Sequence, residues 1–266
     1  MSANYHTHTT YCDGKNTPEE IVQYAIEYGF SSIGLSGHGF TPFDLRYCMK
    51  DTDGYIKEIS RLKNKYAGKI EIYCGVEEDA FSYVDRDKFD YIIGSSHYFN
   101  VDGKYYPIDS NYDYFKNCLE VFDYDVIKLS EAYYSNFVDY ILKRKPDIVG
   151  HFDLITKFDE IDTMRFLNND DYQKIAKKYI NIAAEADVLF EINTGAIARN
   201  IRKTPYLGRE LLYILKEKGS KLVLSSDSHS IDTLSFYFEE IKCLLRDVGF
   251  DCVYEFRSGK AEKVFI

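Results

Sequence analysis

Two features that would place a chain in or across a membrane are missing from this sequence of 266 residues. No apolar run approaches the roughly 18 residues of a membrane-spanning helix. The N-terminus has neither the basic region nor the apolar region of a signal peptide. The six cysteines form no Cys-x-x-Cys pair and no dense framework. We therefore predict a cytoplasmic protein with reduced thiols and no membrane partner.

Positive charge is also scarce. Lysine and arginine contribute 33 residues against 43 aspartates and glutamates, which leaves a formal net charge of −10. Because nucleic-acid binding relies on lysine and arginine to neutralise phosphates, this balance argues against a long nucleic acid as partner. Tryptophan is absent, and we interpret the 25 tyrosines as a compositional habit rather than a base-stacking surface. A small anionic ligand stays compatible with this charge, since local cations or metal ions reverse the field of one pocket.

Internal repeats, low-complexity tracts and linkers rich in proline, glycine or serine are missing too. We therefore predict a single domain over residues 1–266. Short apolar runs alternate with longer amphipathic stretches, which is typical of βα units around a largely parallel sheet. The seven predicted strands are Asn4–Thr7, Ser32–Leu35, Ile70–Val76, Tyr91–Gly94, Asp147–Gly150, Val188–Asn193 and Lys221–Ser225.

Several predicted helices have recognisable ends. Thr17 offers an N-cap hydroxyl, Pro18 suits the first helical position, Glu20 completes a capping box, and Gly29 ends the helix. Gly68 and Gly219 supply C-terminal caps for two further helices. The two helices capped by these glycines are Asp53–Tyr66 and Pro205–Lys218. Two more helices are predicted at Tyr112–Phe122 and Leu129–Lys143, and a terminal hairpin is predicted from Cys252–Phe256 and Glu262–Ile266.

All six histidines lie at or just past the end of a predicted strand. His6 and His8 are two residues apart, so their side chains share one face of a strand. Glu77 and the pair Asp227 and His229 also follow predicted strands directly. The other histidines in such positions are His38, His97 and His151. Because the carboxyl ends of parallel strands converge on the face that carries active sites, we expect these side chains to meet.

Imidazoles and carboxylates without thiolates indicate a catalytic site for Zn, Mn or Fe. The six histidines, Glu77 and Asp227, with Asp13 as a further candidate, exceed what a single ion can bind. Two or three divalent ions with a bridging carboxylate suit the number better. Asp13 precedes Gly14, so a simple turn explains it as well. Glu78 and Asp79 beside Glu77 stay open as ligands.

The motifs around these residues together resemble the PHP (polymerase and histidinol phosphatase) superfamily, in the family's order and across nearly the whole chain. Within that superfamily the sequence is most similar to the histidinol-phosphate phosphatases, through the stretches that begin at Gly150 and Glu191. The motifs are His6-Thr7-His8, Ser36-Gly37-His38, Gly75-Val76-Glu77, Gly94-Ser95-Ser96-His97, Gly150-His151-Phe152-Asp153-Leu154, Glu191-Ile192-Asn193-Thr194 and Ser226-Asp227-Ser228-His229.

This resemblance implies an α/β fold, a distorted (βα)7 barrel of the TIM-like kind, with a trinuclear metal site. It favours Glu77 over Glu78 and supports Asp13. The three implied ligand sets are His6, His8, Glu77 and Asp227 for one ion, the bridging Glu77 with His97 and His151 for a second, and Asp13, His38 and His229 for a third.

The resemblance also implies hydrolysis of histidinol phosphate to histidinol and phosphate, in histidine biosynthesis. We hypothesise that a hydroxide held between two ions attacks the phosphorus in line. Asp227 or His229 is the candidate proton donor to the leaving alkoxide. Arg199 is the candidate phosphate clamp, because guanidinium donates bidentately to phosphate. Arg165 and Arg202 are further candidates, although a solvated surface charge explains these two better than a role in the site.

Two alternative functions remain open from the sequence. The chain could act on nucleotides or other small phosphate esters, or it could be a non-catalytic metal-binding module of the same fold. An intact set of candidate ligands argues against the second alternative. The sequence predicts a small phosphorylated substrate as partner and leaves the oligomeric state undetermined.

Overall fold

The computed structural model describes residues 3–161 and 165–266. Ten strands lie within these two ranges, most of them short. They are β1 (Ser32–Leu35), β2 (Glu71–Asp79), β3 (Tyr91–Ser95), β4 (Tyr98–Val101), β5 (Lys104–Pro107), β6 (Ile148–Val149), β7 (Leu189–Asn193), β8 (Lys221–Ser225), β9 (Cys252–Arg257) and β10 (Lys260–Phe265).

Eight α-helices lie in the same described ranges. They are α1 (Pro18–Glu27), α2 (Thr52–Lys65), α3 (Tyr112–Val121), α4 (Val126–Arg144), α5 (Asp170–Ala183), α6 (Gly195–Ala198), α7 (Arg209–Glu217) and α8 (Phe238–Val248). None of the described helices is long and apolar enough to cross a membrane. The six cysteines are all free thiols, as the sequence predicts.

Six of the strands form one curled parallel sheet in the order β1-β2-β3-β6-β7-β8. Every neighbouring pair is parallel, with registers such as Ile33 opposite Ile72 and Phe190 opposite Leu222. The strands are short, and nearly all of their residues are buried. They are buried because helices cover one face of the sheet and the barrel-like interior covers the other. The predicted α/β class and largely parallel sheet are confirmed at this level.

Residues 4–8 pass between the two edges of this sheet. On one side Gly34 N donates to Asn4 O at 2.8 Å. On the other side His8 N donates to Ser228 O at 2.8 Å, and Ser228 N to His6 O at 3.0 Å. The predicted strand at Asn4–Thr7 therefore appears as isolated bridges rather than a continuous ladder. The segment brings β1 and the residues after β8 together.

Helix α1 begins as its sequence predicts. The side chain of Thr17 accepts from Glu20 N at 3.3 Å, and Glu20 Oε2 accepts from Thr17 N at 2.8 Å, a complete capping box. The predicted helix at Pro205–Lys218 is wrong over its first four residues. Tyr206 instead pairs with Asn193 at the end of β7 through backbone hydrogen bonds in both directions, so α7 begins only at Arg209.

A hairpin that the sequence analysis did not predict lies in the long connection after β3. Strands β4 and β5 are antiparallel, with Val101 opposite Lys104. Asp102 and Gly103 form the turn with φ values of 52° and 80°, the positive-φ pair that two-residue hairpins require. Strands β4 and β5 form a separate two-stranded sheet that pairs with no strand of the main parallel sheet. The hairpin directly follows β3, at the carboxyl edge of the main sheet. The predicted terminal hairpin is present as β9 and β10.

Candidate metal centre

The nine candidate ligands meet at the carboxyl edge of the parallel sheet. His38, His97 and His151 follow β1, β3 and β6 within three residues, and Asp227 and His229 follow β8. Glu77 lies inside β2, because that strand continues to Asp79 rather than ending at Val76. His6 and His8 are carried in by the segment that bridges the sheet edges.

Glu77 is the centre of the cluster. Its Oε2 atom lies 3.3 Å from His6 Nε2, 3.6 Å from His8 Nε2 and 2.8 Å from His38 Nδ1. Its Oε1 atom lies 3.2 Å from His97 Nε2 and 3.0 Å from His151 Nε2. The carboxylate is only 1% exposed. One buried carboxylate thus contacts five of the six imidazoles, the position expected of a bridging ligand.

Asp13 and Asp227 lie on either side of His8. Asp227 Oδ1 lies 3.1 Å from His8 Nε2, and Asp13 Oδ1 lies 3.5 Å from His8 Nδ1. Asp13 also reaches His229 Nε2 at 3.4 Å. Its loop turns back tightly, since a Cβ on Gly14 would lie 2.4 Å from the backbone of His8. The tight turn and the approach to the imidazoles therefore occur together at Asp13.

The donor atoms fall into groups small enough to surround an ion. Within residues 3–161 and 165–266, four groups have one ligand atom per residue within 4.8 Å of one another. They are His8 with Asp13, His38 and His229; His6 with Glu77 and His151; His6 with His8 and Asp227; and His38 with Glu77 and His97. These groups overlap with the ligand sets that the resemblance implies, but they place His8 beside Asp13 and His38 beside Glu77 as well.

Several buried atoms of the cluster make no hydrogen bond of acceptable geometry with the described residues, although most of them lie close to a carboxylate or imidazole. They are Nε2 of His6, Nε2 of His8, Nδ1 of His38, Oε2 of Glu77 and Nδ1 of His151. A buried polar atom without a partner destabilises a fold by about 1–3 kcal/mol. Divalent cations bound by imidazole and carboxylate would remove most of that penalty. The residues present therefore fit divalent metal ions.

The charges of the cluster are strongly coupled. Burial alone would raise the pKa of Glu77, but the imidazoles of His6, His38 and His97 outweigh it and hold that pKa well below its ordinary value. Burial would lower the pKa of His6, yet Glu191, Glu77 and Asp227 raise it well above the usual range. Burial and the neighbouring His229 and His38 lower the pKa of His8 to about 3. The carboxylates are thus ionised and attract cations.

Two carboxylates hold the imidazoles from behind: Glu191, to which we assigned no role from the sequence, and Asp79, which was left open as a metal ligand. Glu191 Oε1 lies 2.6 Å from His6 Nδ1, and Glu191 Oε2 accepts from His151 N at 2.8 Å. Asp79 Oδ2 lies 3.2 Å from His97 Nδ1 and accepts from His97 N at 2.9 Å. Glu191 belonged to a quoted motif, so its presence was visible in the sequence, but its contact with His6 spans 185 residues.

Glu78 lies on the opposite face of β2 from Glu77. Its two carboxylate oxygens accept from Arg144, from the hydroxyl of Tyr140 at 2.7 Å, and from Val84 N at 2.7 Å. The alternation of side chains along a strand separates the two glutamates in this way. Of the three consecutive acids, Glu77 enters the cluster, Asp79 supports His97, and Glu78 binds Arg144.

The three candidate arginines are in different places. Arg199 donates to Asp227 O at 3.0 Å and to Asp227 Oδ2 at 2.9 Å, and it lines the cavity above the cluster. Arg202 is buried outside the cavity lining, where it donates to Thr156 and Thr204 and stacks on Tyr206. Arg165 follows residue 164 in a turn and does not line the cavity. The structure brings only Arg199 to the cluster.

Asp227 has a left-handed backbone with φ of 47°. Such a conformation in a residue other than glycine costs roughly 1–3 kcal/mol and is concentrated at functional sites. The two hydrogen bonds from Arg199 hold Asp227 in place against this strain. Burial would raise the pKa of Asp227, but Arg199 and His6 keep it well below its ordinary value. Asp227 therefore stays an ionised carboxylate that faces His8 and His6.

A cavity of about 400 Å³ opens above the cluster. Its floor includes Glu77, His97 and His151, and Arg199 stands at its side. Its remaining wall comes from the loop after β1 and from the hairpin β4–β5 with the residues that follow it. The residues of that wall are Asp44, Arg46, Tyr47, Tyr98, Pro107, Asp109 and Ser110, with Leu154 and Lys157 from the segment after β6.

Residues 4–195 of the chain match the PHP domain family, which is well over half of its length. The chain belongs to the PHP domain family. Among curated PHP relatives it is 26% identical to the histidinol-phosphatase of Bacillus subtilis, over 88% of this chain and 96% of the relative. It is 27% identical to a probable histidinol-phosphatase of Schizosaccharomyces pombe, over 97% of this chain and 90% of the relative.

The fold is also shared with a solved PHP structure. The histidinol phosphate phosphatase of Lactococcus lactis superimposes with a TM-score of 0.71 at 20% identity, covering 98% of this chain and 99% of that one. That enzyme was crystallised with zinc, L-histidinol and phosphate. The comparison supports a curled, barrel-like α/β architecture for this PHP chain.

Proposed function

We propose that this PHP chain is a metal-dependent phosphomonoester hydrolase that converts histidinol phosphate to histidinol and phosphate. The observation that carries the proposal is the gathering of six imidazoles and three carboxylates under one cavity, with Arg199 at its side. Its relatives in Bacillus subtilis and Schizosaccharomyces pombe align with it over nearly their whole length, and they are named histidinol-phosphatase and probable histidinol-phosphatase.

The proposed ligands of two to three divalent ions are His6, His8, Asp13, His38, Glu77, His97, His151, Asp227 and His229. Bound Zn, Mn or Fe ions would supply a water of lowered pKa and neutralise charge on the phosphoryl oxygens. The chain's own part is to hold nine donors in fixed positions. The overlap of the four donor groups at His6, His8, His38 and Glu77 supports more than one ion.

Arg199 and His229 supply the remaining chemistry in this proposal. Arg199 binds a phosphoryl oxygen through N–H groups that Asp227 does not use, because a guanidinium has five such groups. Asp227 is poorly suited to donate a proton, since Arg199 and His6 help to keep its carboxylate ionised. His229 borders the cavity beside Asp13 and is the better donor to the leaving alkoxide, a role that requires its ring not to bind an ion in the same step.

The decisive experiment compares phosphate release from histidinol phosphate with release from a panel of nucleotides, with Mn, Zn or Fe added. We expect a clear preference for histidinol phosphate. Preference for a nucleotide would overturn the substrate assignment alone. Absence of phosphate release from every ester would overturn the enzyme assignment and favour a metal-binding module.

The proposed site predicts that Asp227→Asn and His151→Ala lower kcat by a factor of about 100 or more, because each removes a donor to an ion that stabilises the transition state. Steady-state kinetics and circular dichroism would measure turnover and fold together. Asp139→Asn, an exposed aspartate on α4, serves as the control and should keep full turnover. Near-normal kcat in either site variant would remove that residue from the site.

We also propose that the chain is one domain in which residues 4–8 close the six strands into a distorted seven-stranded barrel. Backbone hydrogen bonds from this segment to both sheet edges support the closure. Slow hydrogen exchange at the amides of His8 and Ser228 is the expected result. Exchange as fast as that of an exposed loop would argue for an open sheet.

A further inference from the structure

A substrate with both a phosphate and an amine needs recognition at two ends of the cavity. Five carboxylates line that cavity. Asp13, Glu77 and Asp227 belong to the histidine cluster at the floor. Asp44 and Asp109 stand on the wall built from the loop after β1 and the residues after β5. Among the described residues of the lining, these two acids are the ones that do not belong to the histidine cluster.

The carboxylate of Asp44 is already fully used. Its Oδ1 atom accepts from the backbone N of Arg46 at 3.2 Å and from Arg46 Nε at 2.8 Å. Its Oδ2 atom accepts from Arg46 Nη2 at 2.5 Å and from the Tyr98 hydroxyl at 2.9 Å. To reach the Asp44 carboxylate, a substrate amine would have to displace Arg46 from its hydrogen bonds. Asp44 therefore holds the wall together.

Asp109 has a free acceptor. Lys157 Nζ donates to the backbone O of Asp109 at 2.6 Å and to its Oδ2 at 3.2 Å. Among the described residues, none donates a hydrogen bond to Oδ1. The side chain is 24% exposed, and it lines the cavity. Burial would raise the pKa of Asp109, but the neighbouring ammonium group of Lys157 is the largest influence in the other direction, and the pKa is lowered.

We propose that Asp109 binds the ammonium group of the substrate through its free carboxylate oxygen. This inference rests on the proposed hydrolysis of histidinol phosphate. The cavity then has a polarity that matches an amino-alcohol phosphate, with Arg199 at the phosphate and Asp109 at the amine. Lys157 binds one carboxylate oxygen of Asp109 and leaves the other without a donor among the described residues. Phosphate esters without an amine lack a partner for that oxygen.

The test compares two substrates in two forms of the enzyme. The substrates are histidinol phosphate and 3-(imidazol-4-yl)propyl phosphate, which lacks only the amine. For wild type we expect kcat/KM to be about 10- to 100-fold higher with the amine, the range for one hydrogen bond between charged groups. In Asp109→Asn this preference should fall to within a few-fold, mainly through a higher KM for histidinol phosphate. Activity on the amine-free ester should change little.

Two further variants separate recognition from structure. Asp44→Asn removes a carboxylate from the same wall and should affect both esters by the same factor, so the amine preference survives. Asp109→Glu keeps the charge and should retain part of that preference. Metal content and thermal unfolding of each variant report whether the fold is intact.

The outcomes are distinct. If Asp109→Asn lowers kcat/KM for both esters equally, or leaves the preference for the amine unchanged, the assignment of Asp109 is overturned while the hydrolase proposal stands. If wild type shows no preference between the esters but hydrolyses both, Asp109 again has no role in recognition. If wild type hydrolyses neither ester, the proposed function and this inference fall together.

Discussion

Glu191 joins two parts of the metal centre through a single carboxylate. One oxygen contacts Nδ1 of His6, and the other accepts the backbone N–H of His151 and an N–H of Asn193. A carboxylate beside the outer nitrogen of a metal-binding imidazole fixes its tautomer and raises its basicity. Glu191 thus positions two proposed ligands that are far apart in the sequence.

We expect Glu191→Gln to lower metal affinity or turnover by about 10- to 100-fold, the usual effect of losing such a partner. Elemental analysis after dialysis against increasing chelator would measure affinity, and steady-state kinetics would measure turnover. Glu255→Gln is the matched control, because Glu255 is a buried glutamate outside the centre that accepts from Ala3 N and Ser31 Oγ. Wild-type metal content and kcat in Glu191→Gln would contradict the role.

At the residue scale, strand-end position was informative because it depends on local sequence alone. His38, His97 and His151 follow short apolar runs, and the structure indeed brings them together around Glu77. The roles of Glu191 and Asp109 depend on pairings across the fold, with His6 and with Lys157. No periodicity along the chain reports such pairings, so they became visible only with the structure.

Two elements outside the main sheet pack together beside the cavity. Phe43, in the loop after β1, stacks on Tyr105 of β5 with ring centroids 3.7 Å apart. Phe43 also meets Tyr98 of β4 edge-on at 5.0 Å, and the Tyr98 hydroxyl donates to Asp44. These contacts fix the wall that carries Asp44 and Asp109. Aromatic packing, rather than strand pairing with the main parallel sheet, therefore holds this wall in place.

We expect Phe43→Ala to raise KM for histidinol phosphate several-fold while metal content and kcat change little. The reason is that loss of one aromatic pair, worth about 0.5–1.5 kcal/mol beyond its buried area, loosens the wall and leaves the floor intact. Initial-rate kinetics with elemental analysis would measure both. Tyr28→Ala breaks a comparable stack with Tyr24 on α1 and should leave KM unchanged. A fall in metal content in Phe43→Ala would place its effect at the floor.

At the element scale, prediction succeeded where one element depends on its own sequence. The bounds of β1 and β8 agree with their apolar runs, and α1 follows from its capping box. The prediction of a helical turn beginning at Pro205 was wrong because Tyr206 forms backbone hydrogen bonds with Asn193. Local helix propensity does not depend on such long-range pairings. The β4–β5 hairpin carried a readable Asp102-Gly103 turn signal, yet we predicted only the helices Tyr112–Phe122 and Leu129–Lys143 in this connection.

The whole molecule couples its stability to both pH and metal ions. Burial would lower the pKa of His6 and of His97, but the carboxylates around them raise both well above the ordinary value. A raised pKa stabilises the metal-free fold fully below the unfolded value of about 6.5, and this contribution is lost as pH rises through the folded pKa. Metal ions need neutral imidazoles, so their affinity rises as pH increases.

We therefore expect the Tm difference between metal-loaded and metal-free protein to widen between about pH 6 and about pH 8, by roughly 5 °C or more. Differential scanning calorimetry of both forms across this range would measure it. Calorimetry at a fixed pH with increasing metal concentration controls for simple mass action. A gap that stays constant or narrows with rising pH would contradict the coupling of these imidazoles to metal binding.

The segment of residues 4–8 has a consequence for how the protein is made. It emerges from the ribosome long before β8, yet the donor group of His6, His8 and Asp227 needs a residue more than two hundred positions later. The group of His8, Asp13, His38 and His229 likewise waits for the residues after β8. A nascent chain therefore offers an ion only fragments of these sites until translation has passed His229. The donor groups of His6, Glu77, His151 and of His38, Glu77, His97 need no residue beyond His151, so the four groups become complete at different stages of synthesis.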